Sequence, residues 1–436
     1  MSAPVALVET HRHVRDEAEI PPGYDWTEIG DLPNDWSVIS LGDRAHFRTG
    51  PFGSALHKSD YTNGDVPVIN PMHIIDNKLI PTESMTLVEE AAKQLAEFRL
   101  RDGDIIIGRR GDMGRCAVVQ PRQAGWLCGT GSLIVRCADG LVPEFIQRVL
   151  SSPRVVAAIT DASVGSTMTN LNQGVLARLR VQSPPEKEQR AIAEALADVD
   201  ELIGVLEKLI AKKRAIKQGA MQQLLTGKTR LPGFETAWES RTLGELCWSI
   251  TDGTHFTPHY VDDGVPFYSV ENVTADNFTN TKFISAREHK LLIKRCKPEK
   301  GDILLTRIGA LGDTKFVDWN IDASIYVSLA LLKVKDHVDA RYLYCYTKSK
   351  HFVEDLEARS LMNASPKKIN MGDIGSVPVP VPELEEQHAI AAVLSDMDAE
   401  IAALERRREK TKSIKLGMTQ SLLTGRVRLV NPESKA

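Results

Sequence analysis

The chain has 436 residues, 42% of them apolar and 26% charged, with a formal net charge of −4; at about 100 to 200 residues per domain this is enough for two to four domains with cores of their own. No apolar run of about 18 residues occurs, and the first twenty residues lack the basic start and apolar stretch of a secretion signal, so a membrane-spanning or exported chain is not expected. The six cysteines, Cys116, Cys128, Cys137, Cys247, Cys296 and Cys345, form no CxxC pair, which argues against zinc-ribbon and thioredoxin chemistry and for a reducing, cytoplasmic location.

Residues 1–35 read as an acidic leader, with Glu9, Asp16, Glu17, Glu19, Asp25, Glu28, Asp31 and Asp35 against Arg12 and Arg15. The rest of the chain is therefore close to neutral, which neither demands nor excludes a nucleic-acid partner, because binding follows local basic patches. His11-Arg12-His13 has metal-ligand character but reads as part of a solvated leader. Residues 36–182 carry a mixed α/β pattern: strands at 66–69 and 104–107, a helix near 85–98, and loops punctuated by glycine.

A long helix is predicted over 183–231. Ser183-Pro184-Pro185-Glu186 fits a capping box, and Ile192, Leu196, Val199, Ile203, Leu206 and Ile210 recur at alternating steps of four and three, the seam of a coiled coil. Lys213 interrupts the seam, Ile216 and Ala220 resume it, and Gly227 suits the C′ position that ends a helix. Residues 238–380 repeat the α/β pattern, with a strand at 302–305. A second long helix, 381–430, carries Ile390, Leu394, Met397, Ile401 and Leu404, with Met418 and Leu422 before Gly425.

These parts are one module written twice. VQSPPEKEQRAIAEALADVD and its continuation to LLTGKTRL fall on VPVPELEEQHAIAAVLSDMD and LLTGRVRL at an offset of 198 without a gap; GDIIIGRRGDMG falls on GDILLTRIGALG at the same offset, and WSVISLGD on WESRTLGE at 202. A period near 200 is a tandem domain duplication, not a solenoid. About forty residues at 1.5 Å each give a helix of roughly 60 Å, which needs a partner. The first helix is acidic in its first half and basic in its second, so an antiparallel pair of the two is expected, with the modules related by a pseudo-twofold axis.

The order of globular part, long helix ending in LLTG, globular part and long helix ending in LLTG resembles the specificity subunit of type I restriction-modification enzymes. The Gly-Asp-Ile strands and the proline-then-Glu-Gln segments Pro185 to Gln189 and Pro382 to Gln387 carry the same resemblance. It implies α/β (α+β) target recognition domains in two copies, each reading one half of a split DNA site. It also implies two long antiparallel coiled-coil helices that set the spacing and dock two methyltransferase subunits, with motor-nuclease subunits joining for cleavage. No cofactor is implied in this chain; S-adenosylmethionine, ATP and Mg belong to the partner subunits.

A DNA reader needs arginine or lysine for phosphate and guanine and small polar side chains for other edges. The first module offers Lys58, Arg109, Arg110, Arg115, Thr167 and Asn170, and the second Thr254, His255, Arg307, Lys315, Lys367 and Lys368. Arg109 and Arg307 align, so a shared phosphate clamp is expected there, while positions that differ between copies suit base readout. Two enzyme readings compete. Gly227-Lys228-Thr229 suggests a P-loop, but Gln222 stands where a glycine is needed and the phrase closes a helix. Asp276 with Glu288-His289-Lys290 suggests a metal-dependent nuclease, but the first module lacks it and the stretch reads as an exposed helix. A scaffold that binds only protein is the third alternative.

Overall fold

The computed structural model describes residues 20–52, 55–163, 170–361 and 364–431. The chain divides into two compact units, Met1–Gly204 with Glu409–Ala436, and Val205–Arg408. Both boundaries fall inside the long helices, Glu186–Leu224 and Leu384–Leu423, so each unit contains part of both.

In the first unit Cys116–Val118, Ile105–Gly108, Ser132–Cys137 and Ala45–Thr49 form an antiparallel sheet in that order. Ile105, Ile106 and Ile107 are wholly buried because side chains alternate across a strand. Ile105 and Ile107 face the main core with the helices, and Ile106 faces a second core under the neighbouring sheet. That neighbouring sheet is Leu127–Cys128, Val66–Ile69 and Thr86–Leu87, its first pair parallel. The second unit repeats both layers: Cys247–Asp252, Leu329–Val334, Ile303–Thr306 and Thr314–Phe316 form one sheet, and Tyr260–Val261, Lys282–Ile284, Val265–Tyr268 and Ser324–Ile325 the other. Its apolar strand divides the same way, Ile303 and Leu305 to one core, Leu304 to the other. The register of the copies slips from 202 to 203 at one place, where Trp248 forms a β-bulge between Cys247 and Ser249.

Several predicted boundaries move. Each Gly-Asp-Ile strand begins after its aspartate, because the acid closes the preceding turn: Asp104 accepts from Arg101 N at 2.8 Å and takes two Arg136 bonds at 2.7 Å, and Asp302 accepts from Glu299 N and Lys333. The helix expected at 85–98 is the short Glu89–Gln94 with a 3-10 turn at Ala96–Phe98. Ser183 ends the strand Arg180–Ser183 and does not cap the helix, whose first turn starts from Pro185 O. The acidic leader also shrinks. Tyr24–Thr27 and Gly30–Pro33 form a hairpin, Leu32 enters the main core, and Tyr24 Oη donates to Gly425 O at 2.7 Å.

Within each unit the helix segments run antiparallel. In the first, Ile192 and Leu196 share a core with Leu422 and Leu423, and Lys415 pairs with Asp200 at 2.5 Å. In the second, Met221, Leu224 and Leu225 meet Ile390 and Leu394, while Lys213 and Lys217 pair with Glu400 and Asp398, and Arg214 with Glu405. Exposed ion pairs contribute about 0–1 kcal/mol each, so the apolar stripe carries the stability and the charges fix direction. Ile216 departs from expectation, being 47% exposed, whereas Ala220 packs against the core as expected and Met221 follows it.

The duplicated phrase has a definite role. Gly227 and Gly425 take φ of 67° and 68°, the left-handed conformation that ends each helix. In the first unit the buried Glu188 accepts from Trp36 Nε1 at 3.0 Å and from Arg428 Nε and Nη2 at 2.6 and 2.7 Å. In the second the buried Glu386 accepts from Trp238 Nε1 at 2.9 Å and from Arg230 Nε and Nη2 at 2.7 Å. The carboxylates hold both guanidinium pKa values above the ordinary range. Each copy of the phrase thus supplies the arginine that closes the other copy's module.

Candidate nucleic-acid interface

The loops that diverge between the copies follow the buried strands Ile105–Gly108 and Ile303–Thr306, where the glycine-rich segments start. Arg109 and Arg307 stand at the ends of these strands, and both side chains turn inward, with relative exposures of 5% and 8%. Arg307 donates from Nε to Ile369 O at 3.2 Å and from Nη1 to Val327 O at 3.0 Å and Asp252 Oδ2 at 3.1 Å. It therefore ties its loop to the segment 367–369 and to the sheet. Arg109 donates from Nε to Asn170 Oδ1 at 3.1 Å, and its guanidinium lies 4.6 Å from the Phe52 ring centre. Its Nη1 is buried without a partner among the described residues. Burial and the Arg110 charge press its pKa down from the ordinary value. These positions are loop anchors inside the fold, not an open phosphate clamp.

The two arginines differ because of one neighbour. Asp252 aligns with Thr49 once the Trp248 bulge is counted. The aspartate neutralises Arg307 and also receives Arg295 at 2.5 Å and His255 at 2.8 Å; Thr49 accepts instead from Gln173 Nε2 at 3.0 Å.

The remaining sequence candidates fall in several places. Thr254 is buried and caps its own turn through Phe256, and His255 is exposed above Asp252. Lys367 and Lys368 are exposed, and their backbone joins the Arg307 loop through Gly309 N and Ile308. Thr254, His255, Arg307, Lys367 and Lys368 are therefore connected. Arg110 is exposed beside Arg109, and half-buried Arg115 pairs with Asp112 at 2.9 Å. Lys315 stands apart on Asp276 at 2.5 Å, near Phe278 and Trp319. The Lys58 side chain and Thr167 lie outside the described residues.

A cleft of about 620 Å³ in the second unit was not legible from the sequence. Tyr260, Phe267 and Tyr326 form a row of rings with centres 5.9 and 6.0 Å apart, and Lys282 Nζ lies 4.7 Å from the Tyr260 ring centre. Glu271, Asn277 and Ile308 complete the lining relevant here. Burial, Tyr326 and Glu271 raise the Tyr260 pKa, so its hydroxyl stays neutral. Glu188-Gln189 and Glu386-Gln387, singled out in the sequence only as a repeated motif, prove to be bonding centres. Beside the glutamates already described, Gln189 Oε1 accepts from Val142 N and Gln387 Oε1 from Asp339 N. Their identity at the 198 offset was the available signal.

His289, one member of the nuclease alternative, is buried and bonds Ser324 Oγ and Asp322, while the rest of its helix, Ala286–Leu292, is largely exposed as expected. Among the described residues no group of three or more His, Cys, Asp or Glu is placed to hold a metal, and no helix is long and apolar enough to cross a membrane.

A duplicated α/β module with one framework and two divergent loop sets defines a tandem recognition protein. Residues 33–213 and 235–413 each match the Type I restriction modification DNA specificity domain, and the chain belongs to that family. It is 26% identical over 425 residues to the type I restriction enzyme MjaX specificity subunit assigned in Methanocaldococcus jannaschii, covering 92% of this chain and 96% of that one. It is 23% identical to the EcoBI specificity subunit of Escherichia coli, covering 90% and 85%. Two solved structures share the fold. One comes from work on complex assembly and conformational transition of the type I R-M system, with TM-score 0.58, 22% identity and 91% and 99% coverage. The other is the S subunit from M. genitalium, with TM-score 0.57, 18% identity and 90% and 97% coverage.

Proposed function

We propose that this chain is the non-catalytic specificity subunit of a type I restriction-modification complex and reads a split, asymmetric site in double-stranded DNA. Each module takes one half-site, and the two long helices act as an antiparallel coiled-coil spacer that sets the gap and docks two methyltransferase subunits. Motor-nuclease subunits join the same assembly. S-adenosylmethionine, ATP and Mg are bound by those partners.

One observation carries this reading: the two modules keep the same four-stranded sheet, buried arginine positions and Trp–Glu–Arg closures, yet differ in the loops at matched strand ends. A frame kept constant while its loops change suits two targets of one chemical class. Sequencing of methylated positions in DNA from cells carrying the chain and its methyltransferase subunits tests it. A bipartite motif with an unspecified gap is the expected result, and a contiguous motif, or none, overturns the reading.

A further inference from the structure

The cleft of the second unit contains a carboxylate, in the first turn of the short helix Val270–Thr274, that no other side chain engages. Glu271 is exposed and lines the cleft together with Lys282, and its carboxylate has no hydrogen bond or ion pair among the described residues. Its counterpart in the first unit is fixed by geometry. Val66–Ile69 and Val265–Tyr268 both pair parallel with a short strand, Leu127–Cys128 or Ser324–Ile325. Both then enter a turn closed three residues on, by Asn70 N to His73 Nδ1 at 3.2 Å and by Ser269 N to Asn272 Oδ1 at 2.9 Å. The third residue of each turn is Met72 in one copy, 59% exposed, and Glu271 in the other. The adjoining position after the buried strand is exposed Arg110 in the first unit and Ile308, lining the cleft, in the second.

One frame therefore presents an apolar side chain with a donor in the first module and an acceptor with an apolar side chain in the second. An ionised carboxylate next to a phosphate backbone is repelled unless it receives a hydrogen bond, and it can only accept. In the major groove the base-edge donors are the amino groups of cytosine N4 and adenine N6. We propose that Glu271 is a specificity-determining residue that accepts a hydrogen bond from the exocyclic amino group of a cytosine or adenine in the half-site read by the second module. The inference rests on the DNA-recognition reading above. Lys282, held over Tyr260, supplies the neighbouring positive charge that keeps the backbone close. Met72, whose thioether is only a weak acceptor, places no such demand on the other half-site.

The test is methylated-site sequencing for the full complex carrying wild-type chain, Glu271→Ala or Glu271→Gln. Glu271 is exposed and outside the cores, so both variants are expected to fold, and thermal melting of each complex verifies it. The expected result is loss of discrimination at a single base pair of one half-site, by about tenfold or more, with the other half-site and the gap unchanged. On the strand that carries the contacted amino group, the variants must admit guanine or thymine, whose major-groove edges offer an acceptor there, where the wild-type motif has only cytosine or adenine. An unchanged motif in folded variants, or uniform weakening across all sequences, overturns the proposal. A wild-type complex with no bipartite motif overturns the recognition reading itself, which is a separate result.

Discussion

At the scale of single residues, the two aligned arginines show how one neighbour divides a shared position into two roles. Arg307 is buried against Asp252, so removing the acid strands a guanidinium inside the fold. Breaking a buried pair in this way costs about 3–5 kcal/mol. Asp252→Ala is therefore expected to lower the denaturant midpoint of the second unit sharply, whereas Thr49→Ala, at the matched position, changes the first unit little; equal midpoints for the two variants would show that Asp252 does not neutralise Arg307. The DNA-facing charges separate differently. Lys282 is exposed at the cleft, so Lys282→Ala should weaken binding on all sequences alike and reduce the slope of log affinity against log salt by about 0.9, the value for one phosphate contact. Arg109→Ala should leave that slope unchanged because its guanidinium lies inside the fold. Salt titrations of DNA binding distinguish the two. The alignment of Arg109 with Arg307 was legible in the sequence, but their burial was not, since an arginine in a glycine-rich loop ordinarily points to solvent. The acid in SITDGTH was the only hint.

At the scale of elements, the ends and stripes of the long helices were readable because their physics is local. Gly227 and Gly425 need positive φ, and Ile192, Leu196, Ile390 and Leu394 follow a repeat that only a helix buries. Ile216 broke the rule because periodicity marks a possible face and not whether another element covers it. The hairpin Tyr24–Thr27 with Gly30–Pro33 was missed because YDWTEIGDLP is too polar to resemble a strand pair; it is held by Leu32, by Tyr24 on Gly425, and by Arg180 on Glu28. Arg230 and Arg428, each closing the other copy's Trp–Glu pair, lead to a further prediction. A chain ending after Leu231 keeps Trp36, Glu188 and Arg230 but loses Leu422, Leu423 and Arg428, which leaves Ile192 and Leu196 uncovered. Two such chains can exchange their ends, each Arg230 reaching the other's Glu188. Mass measurement should find a dimer, and Arg230→Met should weaken it. A well-folded monomer at micromolar concentration, with the stripe exposed, would contradict the exchange.

At the scale of the whole molecule, the duplication was the most legible feature, since a gap-free offset of 198 over fifty residues needs no structural knowledge. The recognition surfaces were the least legible, because the cleft at Glu271 brings together residues from 260 to 366 that no spacing rule connects. Between these extremes lies the proposed role of the helices as a ruler. Inserting one heptad after Leu206 and another after Leu404 returns each apolar stripe to nearly the same face, because seven residues are close to two turns. The added length is about 10 Å at 1.5 Å per residue. DNA advances roughly 3.4 Å per base pair, so the unspecified gap should lengthen by about three base pairs with both half-sites unchanged. Those pairs also turn the second half-site by roughly 100°, given about 10.5 base pairs per turn. The twist penalty should shift the preferred gap by one pair from the length-only value and lower the methylation rate. Sequencing of methylated sites reads gap and half-sites together. Altered half-sites with the original gap would mean that the helices take part in base reading and that the distance is set elsewhere.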